Sequence, residues 1–597
     1  MRSVSFRSLL FCYLLILSFV CYYPKWKHAG TEATISYDVS GYYLYLPSIF
    51  IYHDIHQFKF YENIHQTYHP TPSSEPGVKL PDGNYTMKYP IGASVFYAPF
   101  FFIGHAVALA GSYPADGYSL PYQFFISIGC LFYAFLGLWF LRKILLKFFS
   151  EITVAITLFL LVAATNLLNY TAIDYALTHN LLFALYCLII YTTIRFNEKP
   201  DSRKAFILGL LCGLATITRP TDIISVLIPI LWGISNLGEL KERIRYFFQN
   251  FKLTFLFIAG AIISGSVQII FWKISTGHFL FYSYEDQGFS WLHPHISKGL
   301  FSYKKGWLVY TPFFILLIPG FLYLYRNHRN LFYITFIFII LNIYIAFSWD
   351  IWWYGGSLGQ RSMVQSYAIL SFPVAAFINR ILQSKLIYKI MTVAVLLSFL
   401  FYNMILTLQA HGKYGVLDTE NTNRTYFWVS FLKLKIDQDA KKYLDTNERF
   451  TGIRKNVQQI YFNDIENDLQ HIDTTSVIGG MKCLYANAEE QQTQPYAVPL
   501  PEKNAKWLKV SADFYFPQKE WDIWKSPQFI IQFKEGEEIV KTKFIRVPRI
   551  MNSGEVKNLW FDVKIPPVDF DHIQIFLWNA GSDKWIFMDN IKVESFE

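Results

Sequence analysis

A succession of apolar stretches, each about 16 to 23 residues long, limits what this chain can fold into more than any other feature. They occupy residues 8–24, 121–141, 151–168, 179–195, 204–219, 222–237, 253–272, 307–325, 331–348, 362–379 and 386–408. A helix needs about 20 apolar residues to cross a hydrocarbon core of about 30 Å. Only 16% of the 597 residues are charged, against about 25% in soluble proteins. Aromatic residues, whose amphipathic rings favour membrane interfaces, make up 19%. The expected architecture is a polytopic α-helical membrane protein with about eleven crossings.

Basic residues gather on the cytoplasmic side of such proteins, and here they fix an orientation. With Arg2 and Arg7 inside, alternate connections hold Arg142, Lys143 and Lys147, then Arg195, Lys199, Arg203 and Lys204, then Lys241, Arg243 and Arg245. Arg326 and Arg329 follow, then Arg380, Lys385 and Lys389. Counting PIGASVFYAPFFFIGHAVALA (90–110) as a crossing would reverse every later connection, so this segment is expected to lie along, or dip into, the outer face. The N-terminus is then cytoplasmic and the chain after about 409 is extracytoplasmic (periplasmic), on a plasma (inner) membrane. No small-residue cleavage site follows residues 8–24, so this stretch is expected to stay as the first helix.

The six cysteines form no CxxC or Cys/His pairing, which supports neither a structural zinc site nor a disulfide framework. No Walker A loop, dinucleotide fingerprint or GxSxG elbow occurs. No basic cluster with interleaved stacking aromatics marks a nucleic-acid partner. Asn84, Asn169 and Asn423 stand in glycosylation sequons, which matter only in a glycosylating secretory route.

The chain divides by composition into residues 1–409, a mixed polar linker region 410–500, and 501–597. In KWLKVSADFYFP, Leu508, Val510, Ala512, Phe514 and Phe516 share one face at period two. Further alternating segments follow, separated by Gly, Pro, Asn and Asp, which predicts a β-sandwich of jelly-roll type.

The long outer loops hold the candidate chemistry. Asp38, in TISYDVSGYYLYLP within the first outer loop (25–120), reads as a solvated acid or helix cap, or as a base shielded at the lipid boundary. Tyr42 and Tyr43 follow it as candidate substrate contacts, and Asp54 is a second acid in the loop. Arg219 in GLATITRPTD and Arg361 in SWDIWWYGGSLGQR each stand at the outer end of a span. An arginine there either snorkels or clamps phosphate oxygens bidentately. Lys88 in KYPIGAS could reach the same phosphate. Asp174 and His179 (NYTAIDYALTH), Asp350 and Trp353 complete the candidate substrate contacts, Asp350 as a partner for an arginine. Glu285, Asp286, His293 and His295 enrich the loop 273–306 without a tight metal-ligand motif.

YDVSGYYLYL (37–46), KYPIGASVFYAPFFFIGH (88–105), the THN run from 178, GLATITRP (213–220), KGLFSYKKGWLVYTP (298–312) and WWYGGSLGQR (352–361) occur in an order that resembles the GT-C superfamily of membrane glycosyltransferases. Within it, the likeness is to bacterial relatives of dolichyl-phosphate-mannose protein mannosyltransferases and aminoarabinose lipid A transferases. It covers residues 1–410. The resemblance implies an essential acid in the first outer loop, matched by Asp38, and membrane-parallel helices in that loop. It also implies polyprenyl-phosphate sugar donors whose phosphate is engaged by arginines, and a glycan, lipid or protein acceptor. Many relatives have Asp-Glu where this chain has Asp38-Val39, so a divalent metal stays open.

The resulting expectation is inverting sugar transfer from a polyprenyl-phosphate donor to an acceptor hydroxyl at the extracytoplasmic face. Asp38 would be the base, and Arg219, Arg361 and Lys88 would hold the donor phosphate. The alternative is a transporter or flippase of lipid-linked saccharides. That reading calls for ionisable residues along a mid-membrane path, whereas the acids and arginines here lie toward one side.

Overall fold

The computed structural model describes residues 3–412, 415–468, 472–473, 478–519, 521–522 and 525–597. They form two compact units, Met1–His411 and Gly412–Glu597.

The first unit is helical. Its main helices are α1 (Val4–Tyr22), α2 (Tyr37–Tyr43), α3 (Gly92–Ala110), α4 (Leu120–Leu145), α5 (Glu151–Ala163), α6 (Thr178–Glu198), α7 (Ser202–Thr218), α8 (Leu237–Gln249), α9 (Phe251–Thr276), α10 (Leu317–Asn327), α11 (Arg329–Ser348), α12 (Tyr367–Leu382) and α13 (Leu386–His411). Eight helical segments among the described residues are long and apolar enough to cross a membrane: α1, α3, α4, α6, α9, α11, α12 with the preceding turn from Arg361, and α13.

Three of the eleven expected spans are broken. The stretch 151–168 ends as a helix at Ala163. Residues 222–237 resolve into a 3-10 turn (Pro220–Val226) and a short helix (Leu227–Leu231). Residues 307–325 break at Thr311–Pro312 before α10. Proline lacks the N–H that a helix interior needs, which accounts for the break at Pro312 and for the end of α7 before Pro220; the short helix ends ahead of Gly233, at φ 82°.

Segment 90–110, expected along or dipping into the outer face, contains the continuous 19-residue helix α3, with the length and hydropathy of a span. It runs antiparallel beside the first half of α4. Phe96 meets Tyr133, Phe100 lies on Gly129, and Gly104 meets Pro121 and Tyr122.

Hydrogen bonds mark the two ends of the bundle. At one, Arg142 at the end of α4 donates to Ser5 Oγ (2.7 Å) and Ser3 Oγ (2.6 Å), while Ser5 N donates to Glu151 Oε2 (2.9 Å). The start of α1, the end of α4 and the start of α5 therefore meet there. Asp201 caps α7 at the same basic end of the α6–α7 connection, accepting from Lys204 N (2.8 Å). At the other end lie the start of α6 and the last turn of α7. Without a hydrophobic drive between helices in lipid, small residues set how closely they approach. A Cβ on Gly209 would lie 1.9 Å from Phe257 O, so only glycine lets α7 and α9 meet this closely.

The second unit contains β1 (Gln458–Asn463), β2 (Ile472–Asp473), β3 (Cys483–Ala486), β4 (Tyr496–Val498), β5 (Trp507–Tyr515), β6 (Gln528–Glu535), β7 (Glu538–Arg546), β8 (Lys557–Lys564), β9 (His572–Trp578) and β10 (Ile586–Phe596). One sheet has the order β8-β5-β10-β3-β2, with β1 also pairing β10; the other is β4-β9-β6-β7. Leu508, Val510, Ala512 and Phe514 are wholly buried, as their alternation requires. Phe529 of the smaller sheet packs against Phe514 (5.2 Å) and Phe561 (5.8 Å) of the larger. Four of the strands, β1 to β4, lie inside residues 410–500, which the sequence leaves as a mixed linker region. They are short, two to six residues, and although β3 and β4 bury Leu484, Ala486, Tyr496 and Val498, no run there is long enough to show a period in the sequence.

Candidate functional site

Asp38 stands in the first turn of α2, a seven-residue helix whose N-cap is Ser36. Tyr37, immediately before it, has φ 46°, a left-handed conformation that is costly for a bulky residue. The turn is held by Tyr37 N donating to Pro70 O (2.9 Å). Asp38 is not a cap, and its side chain is only partly exposed, at 25%. Its Oδ1 accepts from Tyr89 OH (2.7 Å), and its Oδ2 pairs with Arg361 Nη2 (2.7 Å). Gly41, one turn along α2, makes room for Tyr89: a Cβ there would lie 2.5 Å from the Tyr89 ring.

Burial by itself pushes the Asp38 carboxyl up. The charge and hydrogen bond of Arg361, the Tyr89 hydroxyl and the charge of Arg219 overcome this and hold it below the usual carboxylate range. Burial, reinforced by the Asp38 charge, drives the Tyr89 phenol well up, so Tyr89 remains a donor.

Arg361 opens the 3-10 turn Arg361–Ser366, and its Nε is buried with no hydrogen-bond partner. Arg219 ends α7. Its Nη1 lies 3.2 Å from His179 Nε2 and 3.3 Å from Nδ1, and its guanidinium carbon sits 5.2 Å from the centre of the Tyr354 ring. Tyr354 is a second left-handed residue (φ 57°), pinned by its hydroxyl to Ala346 O (2.7 Å). Burial pushes its phenol up to about 12. Among the described residues Arg219 forms no ion pair with a carboxylate.

A buried chain of polar groups stands behind His179. Tyr186 OH donates to Asp222 Oδ1 (2.7 Å), which also accepts from Gln365 Nε2 (3.4 Å). Gln365 Oε1 lies 3.2 Å from His179 Nδ1. An amide oxygen only accepts, so the imidazole proton belongs on Nδ1 and Nε2 accepts from Arg219. Arg219 is thus held by a neutral ring and a π face.

The structure brings Asp38, Arg219, Arg361 and His179 together, with Tyr42 beside them, its ring 4.6 Å from Tyr89. Lys88 is on the rim, 5.9 Å from the Tyr284 ring, which itself lies 6.3 Å from Tyr89. Five other candidates are engaged elsewhere. Tyr43, about 100° around α2 from Tyr42, is buried with its hydroxyl on Gly117 O (2.5 Å). Among the described residues Asp350 pairs with no arginine; it accepts from Gly288 N (2.9 Å) and Ser290 Oγ (2.6 Å), joining two loops. Trp353 lies under Lys304 Nζ (3.8 Å). Asp174 pairs with Lys25 (2.8 Å) and accepts from Asn169 Nδ2 (2.9 Å), while His411 Nε2 meets Asn169 Oδ1 (2.7 Å). These bonds tie the end of α13 to the loop after α1. Asp54 caps its own turn, accepting from the backbone of His56, Gln57 and Lys59.

Among the described residues no three His, Cys, Asp or Glu side chains gather to hold a metal ion, and Glu285, Asp286, His293 and His295 form no such group. The donors around Asp38 do not suit a divalent cation, since its carboxylate is shared by a guanidinium and a phenol with a second guanidinium nearby.

Tyr89, Asp222, Gln365 and Tyr354 are site residues that sequence reading passes over. Gln365 had no signal in its spacing, since Arg361–Ser366 is a 3-10 turn in which a residue four along faces another way. Asp222 had one, three residues after Arg219.

No protein-family model matches this chain, and no curated protein matches it. Among solved structures it is similar to the arabinosyltransferase EmbB from Mycobacterium smegmatis, determined by single-particle cryo-EM, with 10% identity and a TM-score of 0.35. The match covers 98% of this chain and 64% of that one, so this chain spans less than two thirds of the neighbour's length. A likeness of this degree assigns neither fold nor activity.

Proposed function

We propose that the first unit is an integral membrane glycosyltransferase of GT-C type that uses a polyprenyl-phosphate sugar, with Asp38 as its base. The observation that carries this reading is how the two guanidiniums are held. Arg361 pairs with Asp38 yet keeps a buried N–H without a partner, and among the described residues Arg219 forms no ion pair, with the buried Asp222 only at longer range. Cations retained near hydrocarbon call for an anion, and guanidinium geometry suits phosphate oxygens.

The donor phosphate takes the unspent donors of Arg219 and Arg361, with Lys88 at the rim. Arg361 then divides its charge between phosphate and Asp38, which makes the carboxylate a stronger proton acceptor than it is in the free site. The acceptor hydroxyl attacks the anomeric carbon from the face opposite the phosphate. A C–O bond to the acceptor forms as the bond to the phosphate oxygen breaks, and the hydroxyl proton passes to Asp38. The products are an inverted glycoside and polyprenyl phosphate, whose growing charge the arginines offset. The site is placed at the extracytoplasmic face and the basic end of the bundle in the cytoplasm.

The test is transfer by the full chain in lipid nanodiscs with a panel of polyprenyl-phosphate sugars. Release of polyprenyl phosphate that depends on acceptor and is lost in Asp38→Asn supports the proposal. Full turnover by Asp38→Asn would overturn the base assignment.

A further inference from the structure

The helix α8 (LGELKERIRYFFQ) has no buried residue. At about 100° per residue, Leu237, Leu240, Ile244, Phe247 and Phe248 fall on one arc. Leu237 is 76%, Ile244 46% and Phe248 81% exposed. Lys241 and Arg245 border the arc on one side, and Glu242 and Gln249 face away from it. Three large apolar side chains this exposed on one helix mark an interaction surface.

Two hydrogen bonds fix where this surface lies. Arg243 donates from Nη1 to Asn197 Oδ1 (2.8 Å) and from Nη2 to Trp232 O (2.9 Å). Asn197 is eighteen residues along α6 from His179, about 27 Å at the rise of a helix. The helix α8 therefore belongs to the end of the bundle remote from Asp38, beside the basic α6–α7 connection. After Asn250 the chain turns into α9, whose Phe251 and Phe255 are 73% and 57% exposed. The apolar arc thus continues into the outward face of a helix with the length and hydropathy of a span.

We propose that α8 lies in the plane of a membrane surface rich in anionic lipid, on the side opposite the Asp38 site. Its apolar arc enters the acyl boundary, and Lys241 and Arg245 stand at the level of the lipid phosphates. A helix with an apolar stripe and basic flanks binds an interface in this way, and each nearby cation adds attraction to acidic lipid. The inference rests on the first unit being embedded in lipid, not on its catalysing sugar transfer.

Spin labels test this in the full chain carrying Cys21→Ser, because the other five cysteines are buried. Labels are placed through Ile244→Cys, Phe248→Cys, Glu242→Cys and Gln249→Cys, in nanodiscs with and without phosphatidylglycerol. The ratio of collisions with oxygen to collisions with a water-soluble nickel complex should be several-fold higher at 244 and 248 than at 242 and 249. That contrast should shrink in purely zwitterionic lipid, and also with Lys241→Glu and Arg245→Glu combined. Equal nickel access at all four positions would overturn the proposal by leaving α8 in water. Shielding of 244 and 248 from both reagents would overturn it in favour of a protein partner. A contrast indifferent to lipid charge would remove the anionic surface. None of these readouts depends on turnover, so they stand or fall apart from the enzymatic reading.

Discussion

Arg219 and His179 meet at 3.2 Å without a carboxylate between them, whereas Arg361, close by, is paired with Asp38 at 2.7 Å. Two arginines of one site are thus held in opposite ways, one neutralised and one not. Their substitutions should part company. Arg219→Gln should weaken donor binding by about 10- to 100-fold, the worth of one or two charged hydrogen bonds, with little change in thermal stability. Arg361→Gln should lower both, because it strands Asp38. Equal stability losses, read by thermal unfolding in nanodiscs, would contradict this division.

Asp38→Asn should reduce turnover by about 10²- to 10⁴-fold, the range for a general base, while donor KM changes little. The amide keeps the shape of the carboxylate and can still accept from Arg361. Steady-state kinetics with a melting curve separates loss of the base from loss of the fold.

The pH dependence follows from the lowered pKa of Asp38. A carboxyl whose folded value lies below its unfolded value of about 3.9 adds stability above that value. This stability is lost as pH falls through the folded value. The acid limb of kcat/KM, which reports the free enzyme, should therefore fall below about pH 4. The limb of kcat, which reports the donor complex, should lie higher, since phosphate then shares Arg361. Coincident limbs would show that the donor does not compete with Asp38.

Asp174→Asn should act on stability and spare the donor. Its partners are Lys25, Asn169 and, at longer range, His411, and breaking a buried pair costs up to about 3–5 kcal/mol. A lowered unfolding temperature with unchanged donor KM is expected. A donor KM raised as much as by Arg219→Gln would return Asp174 to the binding site.

Within the second unit, Phe529→Ala should cost about 3–5 kcal/mol, because its ring bridges Phe514 and Phe561. Limited proteolysis should then cut the chain after Gly412 faster than before it.

What the sequence makes legible follows from the range of the forces involved. Long apolar runs and the period-two face from Leu508 to Phe514 are local patterns, and unbroken helices stand at eight of the eleven runs and a strand at the period-two face. The pairing of Asp38 with Arg361 joins distant parts of the chain. The shared side of the membrane and the family resemblance assigned both to one site but not to each other. Tyr42 and Tyr43 look equivalent in sequence, and only the phase of α2 sends one to the site and the other to Gly117. Asp350 looked like a partner for an arginine, but the nearby backbone of Gly288 takes it. The polar chain from Tyr186 through Asp222 to Gln365 draws on three helical segments, so no single stretch announces it.

Tyr37 has a consequence for how this protein can change. Its side chain is 51% exposed, so a glycine in its place would relieve a strained φ of 46° and give up little packing. A laboratory selection for heat resistance alone should find Tyr37→Gly early. A selection that also demands turnover should reject it, because the same freedom lets the first turn of α2 wander and takes Asp38 with it. Whether the tyrosine survives such a selection is a direct reading of what holds it there.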